Sequence, residues 1–448
     1  MAKDKILFVC QSCGAESASW SGKCFACNEW NTLEQQIISQ AASSSQSKKT
    51  SRLKPIKMTD AKQRDVKRLK TTITDVDEVL GGGIVVGSVN LLAGQPGIGK
   101  STILLQIAHK LSRTQNVLYV SGEESTHQVA LRAERLGASS ASLALVATNS
   151  ADSIVQEINS GEYDLVVVDS VQTVACEAVA SSAGSVAQIT NSTKLLSAAA
   201  KASDTALLLV GHVTKEGSIA GPKLLEHIVD VVLQFEGDRY GGFKVLRAIK
   251  NRYGSTEHSA IFEMKDTGLE LVKNPSAALL AERQISDGSV VFAALEGTRP
   301  LLVEVQALTN QTNYGYPKRA GSGIDLNRLN ILIAMLERRT KLKLGDMDVY
   351  VNIVGGLRIT EPAADLAVCM AIASAAKGMQ LSEDAVVFGE VGLSGEIRHV
   401  PHLDKRAAEA KKLGFNKVIG PNTPTKTQPP NYHGIANIRT ALNTFLSK

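Results

Sequence analysis

The stretch Gly94-Gln95-Pro96-Gly97-Ile98-Gly99-Lys100-Ser101-Thr102 constrains this chain more than any other. It is entered from a short apolar run, VNLLAG, with the length of a buried strand. It opens a segment, KSTILLQIAHKL, in which Ile103, Leu104, Ile107 and Leu111 recur at helix period. A strand that turns through glycines straight into a helix, with the spacing Gly-x4-Gly-Lys-Ser, is a phosphate-cradling loop. Glycine lets backbone N–H groups face oxygens that a side chain would hold off, and the helix N-terminus adds partial positive charge. Lys100 is then placed to meet β- and γ-phosphates, and the Ser101 hydroxyl to hold Mg2+, with Thr102 close behind. The expected ligands are ATP and Mg2+.

Further apolar runs follow at βαβ spacing. NVLYVSGEES ends in Glu123 and Glu124, and a carboxylate at the C-terminal end of such a strand faces the ligand crevice. Of the two, Glu123 is taken as the residue that polarises the attacking water. YDLVVVDS ends in Asp169, which either holds Mg2+ through water or caps a helix. TALLLVGHVTKEG ends near His212, a sensor of the γ-phosphate by position or a structural histidine. Strands alternating with helices predict an α/β fold with a parallel sheet covered on both faces.

CQSCGAESASWSGKCFACNEW contains Cys10-x2-Cys13 and Cys24-x2-Cys27. Each pair forms a knuckle, and two knuckles close a tetrahedral site suited to structural Zn2+; a pair of redox dithiols is the other reading. Trp20 and Trp30 are expected to cover the small core, and the lone Cys176 and Cys369 to be core residues. The opening MAKDKILFVC has too short an apolar run for a secretory signal, and no stretch is long enough to span a bilayer. A cytoplasmic protein with no membrane partner is the expectation.

Aromatic residues are 4% and charged residues 21% of the chain, a composition of cored domains rather than disorder. The net charge of +5 is unevenly placed: Lys48–Lys70 holds ten Lys or Arg against two Asp, and the remainder is slightly acidic. That stretch overlaps the Ser-rich QAASSSQSKKTS and is either a solvated linker or a contact for a polyanion. The expected division is a four-Cys finger over 1–35, a flexible basic linker over 36–70, an ATPase domain over 71–275 and a second α+β domain over 276–448.

The order phosphate-loop strand, Glu strand, Asp strand, polar-tipped strand resembles the RecA/DnaB-type ATPase core. LGGGIVVGSVNLLAGQPGIGKSTILLQIA, YVSGEES and LVVVDSVQT resemble the RadA (Sms) family of bacterial recombination and DNA-repair proteins, a likeness that runs through the whole chain. Lys250-Asn251-Arg252-Tyr253-Gly254 is similar to the KNRFG signature of that family, with Tyr for Phe, and to the Lys-x-Arg element of DnaB-type helicases. The resemblance implies that Lys250 and Arg252 act on the ATP of a neighbouring subunit, in a hexameric ring. It also implies a DNA-dependent ATPase that works with the RecA recombinase on single-stranded and branched DNA, extending strand exchange by branch migration. The loops SVQTVACEAVASSAGSVAQIT and HVTKEGSIAGPKLLEH follow sheet strands as the DNA-binding loops of RecA-like proteins do. Lys215 and Lys223 meet phosphates there, unless GPKLLEH is simply a helix start.

The tail resembles the proteolytic domain of Lon. Glu361-Pro362-Ala363-Ala364-Asp365 matches the turn that carries the nucleophilic serine of that family, which places Ala363 at the serine. Pro401-His402-Leu403-Asp404 matches the element before its lysine, which places Asp404 there and Lys405 one step out of register. Alanine has no oxygen with which to attack a carbonyl, so an inactive protease fold is expected. Arg328, Lys341 and Lys343 are either contacts for duplex DNA or the solvated face of a helix and its exit turn. The rivals to a DNA motor are an ATP-dependent protease, which Ala363 opposes, and an ATP-switched adaptor, which Glu123 and Arg252 oppose.

Overall fold

The computed structural model describes residues 5–10, 15–38, 67–212, 224–237, 242–313, 315–423 and 431–446. Cys13, Lys215, Lys223 and most of the basic segment lie outside the described residues. The chain divides into two compact units: Met1–Glu236 with Leu246–Thr256 and Lys265–Leu269, and Gly237–Val245 with Glu257–Met264 and Glu270–Lys448.

The first unit begins with β1 (Lys5–Cys10), β2 (Glu16–Ser17) and β3 (Leu33–Ile38), antiparallel in the order β2-β1-β3. Its buried centre is Cys10, Cys24 and Leu33. Trp20 and Trp30 do not cover it: they are 61% and 70% exposed. Phe8, Ala15 and Cys27 pack against that centre, and the Trp30 ring instead lies beside Gly22 and beneath Lys23 Nζ, 5.8 Å from the ring centroid.

A second antiparallel pair, β4 (Arg68–Leu69) and β5 (Ile84–Val85), flanks α1 (Thr74–Val79). Then come β6 (Val89–Gly94), α2 (Lys100–Leu111), β7 (Val117–Ser121), α3 (Thr126–Arg135), β8 (Leu143–Ala147), α4 (Ala151–Ser160), β9 (Leu165–Asp169), α5 (Val186–Ala202), β10 (Ala206–His212), α6 (Leu224–Ile228) and β11 (Val231–Gly237). The strands pair in parallel in the order β11-β6-β10-β9-β7-β8. VNLLAG, VLYVS and LVVVD are buried almost throughout, as strands covered on both faces must be. Because the strands are parallel, their C-terminal tips share one edge, with Gly94 opposite His212 and Ser121 opposite Asp169. The expected parallel, RecA-like sheet is therefore present.

Beyond it run β12 (Phe243–Asn251), β13 (Ser259–Lys265), β14 (Gly268–Leu271) and α7 (Pro275–Leu280). The second unit holds β15 (Ser289–Glu296), β16 (Arg299–Gln311), β17 (Arg319–Ser322), α8 (Leu326–Thr340), β18 (Met347–Ile353), α9 (Asp365–Lys377), β19 (Ala385–Val387), β20 (Glu390–Val391), β21 (Ile397–Arg398), α10 (Leu403–Lys412), β22 (Lys417–Pro421), β23 (Tyr432–Ile435) and α11 (Ile438–Phe445). Its mixed seven-stranded sheet has the order β17-β18-β16-β15-β19-β22-β23. α9 is buried on every side from Asp365 to Ser374, which its small apolar sequence DLAVCMAIAS permits, and packs on β15 and β16. Residues 385–400 form three short strands. β19 joins the main sheet, while β20 and β21 make a separate hairpin after Gly389, whose N–H is taken by Ala363 O.

Candidate nucleotide site and its surroundings

Three helices of the first unit start on a serine whose hydroxyl accepts a first-turn N–H: Ser125, Ser150 and Ser185. α2 starts on Gly99, in the left-handed region at φ 111°, and no side chain caps it. No capping hydroxyl competes for the amides of its first turn, as an anion site requires. The loop is shaped for the same purpose. A Cβ on Gly94 would lie 2.6 Å from Phe235 O, so the chain passes β11 only as glycine, and Gly97 holds φ 78°. Gln95, Pro96 and Gly97 are exposed, Ile98 anchors the loop in the core, and Ser101 and Thr102 are half-buried in the first turn of α2.

Lys100 is buried, with 5% of its surface exposed. Its Nζ donates to Gly94 O at 2.9 Å and Gln95 O at 3.0 Å, folding the side chain across the loop. Burial pulls its pKa from 10.5 to about 8, opposed by the charges of Asp169 and Glu123.

The two neighbouring glutamates are sorted by their partners. Glu124 accepts from Arg132 Nη2 of α3 at 2.6 Å, and Ser121 Oγ accepts its N–H at 2.9 Å. Glu123 turns the other way and accepts from Ser170 Oγ at 2.5 Å. Asp169 accepts from the buried Tyr119 hydroxyl at 2.7 Å, which fixes the carboxylate at the tip of β9. Burial first, then Asp169, keeps that phenol well above its usual pKa. The His212 backbone pairs beside Gly94 at the mouth of the loop. Tyr119 and Ser170 are partners that the sequence gives no local signal for, since they lie 50 and 47 residues from the groups they hold.

Lys250, Asn251, Arg252, Tyr253 and Gly254 sit elsewhere. Arg252 N donates to Asp230 O at 3.2 Å, and Asp230 N donates to Val89 O at 2.9 Å, the first residue of β6. The phosphate loop begins at the last residue, Gly94, five positions on, which at strand rise is roughly 16 Å away. Lys250 Nζ donates to Val229 O at 2.7 Å and to Glu226 O; burial, then Arg252, lowers its pKa. Asn251 Nδ2 donates to Val79 O at 3.3 Å and its Oδ1 accepts Tyr253 N at 2.9 Å, which closes the turn. Burial, then Asp230, raises the Tyr253 phenol. A Cβ on Gly254 would lie 2.6 Å from Gly81 Cα, so the glycine is required by a backbone-to-backbone contact with LGGG.

Cys10, Cys24 and Cys27 bring their sulfurs within 4.8 Å of one another, and Cys10 and Cys27 Sγ are 3.6 Å apart. A disulfide needs about 2.0 Å, whereas two thiolates on one tetrahedral zinc stand about 3.8 Å apart. The donor set therefore fits Zn2+, and Ala26 N directs its proton at Cys24 Sγ at 3.4 Å. With Cys13, these thiolates would hold the ion, which would supply a cross-link for a core too small to fold alone.

In the second unit Ala363 is buried at the mouth of α9, while Asp404 and Lys405 are exposed. Arg406, fully buried, reaches the same turn: its Nη2 donates to Glu361 Oε2 at 2.6 Å and its Nη1 to Ala293 O. Arg328 is half-buried rather than fully solvated. It forks onto the buried Asp365, with Nε to Oδ1 at 2.9 Å and Nη2 to Oδ2. Lys341, at the left-handed C-cap of α8, and Lys343 are exposed. Cys176 and Cys369 are both buried in cores.

A glycine loop at the tip of a central parallel strand, with carboxylates on the adjoining tips and a thiolate ribbon ahead of it, defines a zinc-ribbon P-loop ATPase. Residues 54–218 match the model of an AAA domain, residues 8–35 a rubredoxin metal-binding domain and residues 330–424 the ChlI subunit of Mg-chelatase. Three curated proteins named DNA repair protein RadA align along the chain. Those of Halalkalibacterium halodurans and Bacillus subtilis are each 46% identical over 100% of both chains. That of Aquifex aeolicus is 47% identical over 94% of this chain and 95% of its own. The chain belongs to the RadA family. Among solved structures, the flagellar accessory protein FlaH of Methanocaldococcus jannaschii aligns over 46% of this chain and 99% of its own, at 16% identity and TM-score 0.38.

Proposed function

We propose that this protein is a DNA-dependent ATPase of homologous recombination and repair whose hydrolytic site is completed by a second protomer. The supporting observation is the placement of the Lys250–Gly254 turn. It hangs on Asp230 and Val89, at the end of β6 away from the protomer's own phosphate loop. Roughly 16 Å is too far for Arg252 to touch that phosphate, yet it suits contact with a nucleotide on an adjoining copy. Head-to-tail repetition of that contact builds a ring, here a hexamer.

In this reading the loop amides and Lys100 grip the phosphates, and Glu123, steadied by Ser170, orients the attacking water. Ser101 and Asp169 would hold Mg2+, which would neutralise charge on the phosphates. His212, beside Gly94, senses the γ-phosphate, and the partner's Lys250 and Arg252 stabilise the charge that develops as the phosphoryl group transfers. Lys215 and Lys223 contact the DNA backbone, single-stranded or branched, and the RecA recombinase is the partner in strand exchange and branch migration. The C-terminal unit keeps the Lon-like fold without peptidase chemistry: Ala363 offers no nucleophile, and Glu361 and Asp365 are committed to Arg406 and Arg328. Among the described residues no helix is long and apolar enough to cross a membrane, and we assign the protein to the cytoplasm.

The test is ATP turnover with and without single-stranded DNA, followed by RecA-driven strand exchange. Turnover stimulated by DNA in the native protein, abolished in Lys100→Ala, together with faster extension of joint molecules, is expected. Turnover retained in Lys100→Ala contradicts the site, and DNA that changes neither readout contradicts the motor.

A further inference from the structure

The trans reading of Arg252 leaves open what aims a half-exposed arginine out of one protomer. We infer that Asp230 is the positioning residue: a buried carboxylate that fixes the Lys250–Arg252 turn to the strand carrying the phosphate loop. The inference rests on that reading and adds a residue to it.

Asp230 is 2% exposed. Its Oδ2 accepts Val89 N at 3.1 Å, and its backbone N–H returns a bond to Val89 O at 2.9 Å. The residue is thereby locked to the start of β6 by both its main chain and its side chain. Its Oδ1 accepts Arg252 Nη1 at 3.0 Å and Lys201 Nζ at 3.1 Å, and its carbonyl accepts Arg252 N at 3.2 Å. Lys250 is tied to two carbonyls of the segment that leads into Asp230, those of Glu226 and Val229. The acid thus orders Lys201 and Arg252, while main-chain carbonyls of the segment that leads into it hold Lys250.

What Arg252 does not spend on Asp230 matters as much. Arginine presents five N–H donors in a fixed fork. Among the described residues its side chain makes one bond, through Nη1, and 53% of the side chain is exposed. The remaining edge of the fork faces outward, pre-aligned for a phosphate oxygen. Without the anchor, a long side chain would have to surrender its rotamer freedom each time it engaged a neighbour. Through Val89 the same carboxylate also ties the turn to β6, whose other end is the protomer's own loop, so that one rigid strand joins the giving and the receiving ends.

The test uses full-length protein and DNA-stimulated ATP turnover. Asp230→Asn keeps the shape and removes the charge that aims Arg252. Alone, it is expected to lose about tenfold or more in kcat, up to the roughly thousandfold or greater loss that removal of an arginine finger brings. Its KM for ATP stays within about twofold, since its own loop is intact. Mixed one-to-one with Lys100→Ala, it is expected to regain up to about half of native turnover per competent site, because half of its neighbours then lend a correctly aimed Arg252. A parallel mixture of Arg252→Ala with Lys100→Ala separates the two claims. Recovery there without recovery for Asp230→Asn overturns the role of Asp230 and leaves the trans reading standing. Recovery in neither mixture overturns the trans reading and this inference with it. Native kcat in Asp230→Asn alone also overturns it. Should Asp230→Asn not fold, Asp230→Glu keeps the charge but displaces it by one methylene, with the same expected loss of kcat at unchanged ADP affinity. Unaltered kcat in that variant refutes the assignment.

Discussion

Burial of Lys100 makes nucleotide binding a proton-linked reaction. In the nucleotide-free chain its pKa stands at about 8 rather than 10.5. A phosphate oxygen against the amine favours the ammonium and restores the higher value, so binding above pH 8 must take up a proton. About nine-tenths of the chains carry the charge at pH 7 and about one-tenth at pH 9. ADP affinity should therefore fall about tenfold over that interval, about 1.4 kcal/mol, with uptake of about 0.9 proton per ADP at pH 9. Calorimetry in two buffers of different ionisation enthalpy reads both quantities. Lys100→Arg, whose charge does not titrate in this range, should bind with a flat pH profile. The shift also acts on stability. The unfolded chain holds this proton up to 10.5 and the folded chain only to about 8, so Lys100 penalises the fold below pH 8 and the penalty lifts as pH rises toward 10.5. Equal ADP affinity at pH 7 and 9, without proton uptake, would refute the argument.

The other expectations concern single side chains. Glu123→Gln should lower kcat about 100-fold or more at unchanged ADP affinity, while Glu124→Gln, which breaks only a partly exposed pair with Arg132, should cost at most about 1 kcal/mol of stability by urea unfolding. Removing zinc with a strong chelator should unfold the N-terminal ribbon, seen as a change in the emission of Trp20 and Trp30, with ADP binding by the Lys100 loop intact. Glu361→Ala strands the fully buried Arg406 and should destabilise the C-terminal unit by about 3–5 kcal/mol, read as its unfolding midpoint.

The phosphate loop was legible because its chemistry is local: glycines, a lysine and a hydroxyl at fixed offsets, between a strand run and a helix period. The parallel sheet was legible for the same reason, from LVVV and LLLV runs at regular spacing. What the sequence hid is pairing at a distance. Nothing near Glu123 says that Ser170 rather than Arg132 will hold it, and Gly254 looks like an ordinary turn glycine until Gly81 is set against it. The two tryptophans stay exposed because the ribbon's core is already covered by Phe8, Ala15 and Cys27, a choice between aromatic residues that the sequence does not signal. Arg328 carried two local readings, DNA contact and solvent face, and its partner Asp365, 37 residues on, is visible only in the fold.

The dependence of turnover on assembly tests the central claim most directly. Specific ATPase activity per protomer, with saturating single-stranded DNA, can be followed through a dilution series alongside the assembled fraction from sedimentation. Activity that falls in step with the assembled fraction is the expected result. Activity per protomer that holds steady after the assemblies have come apart would contradict a site completed by its neighbour.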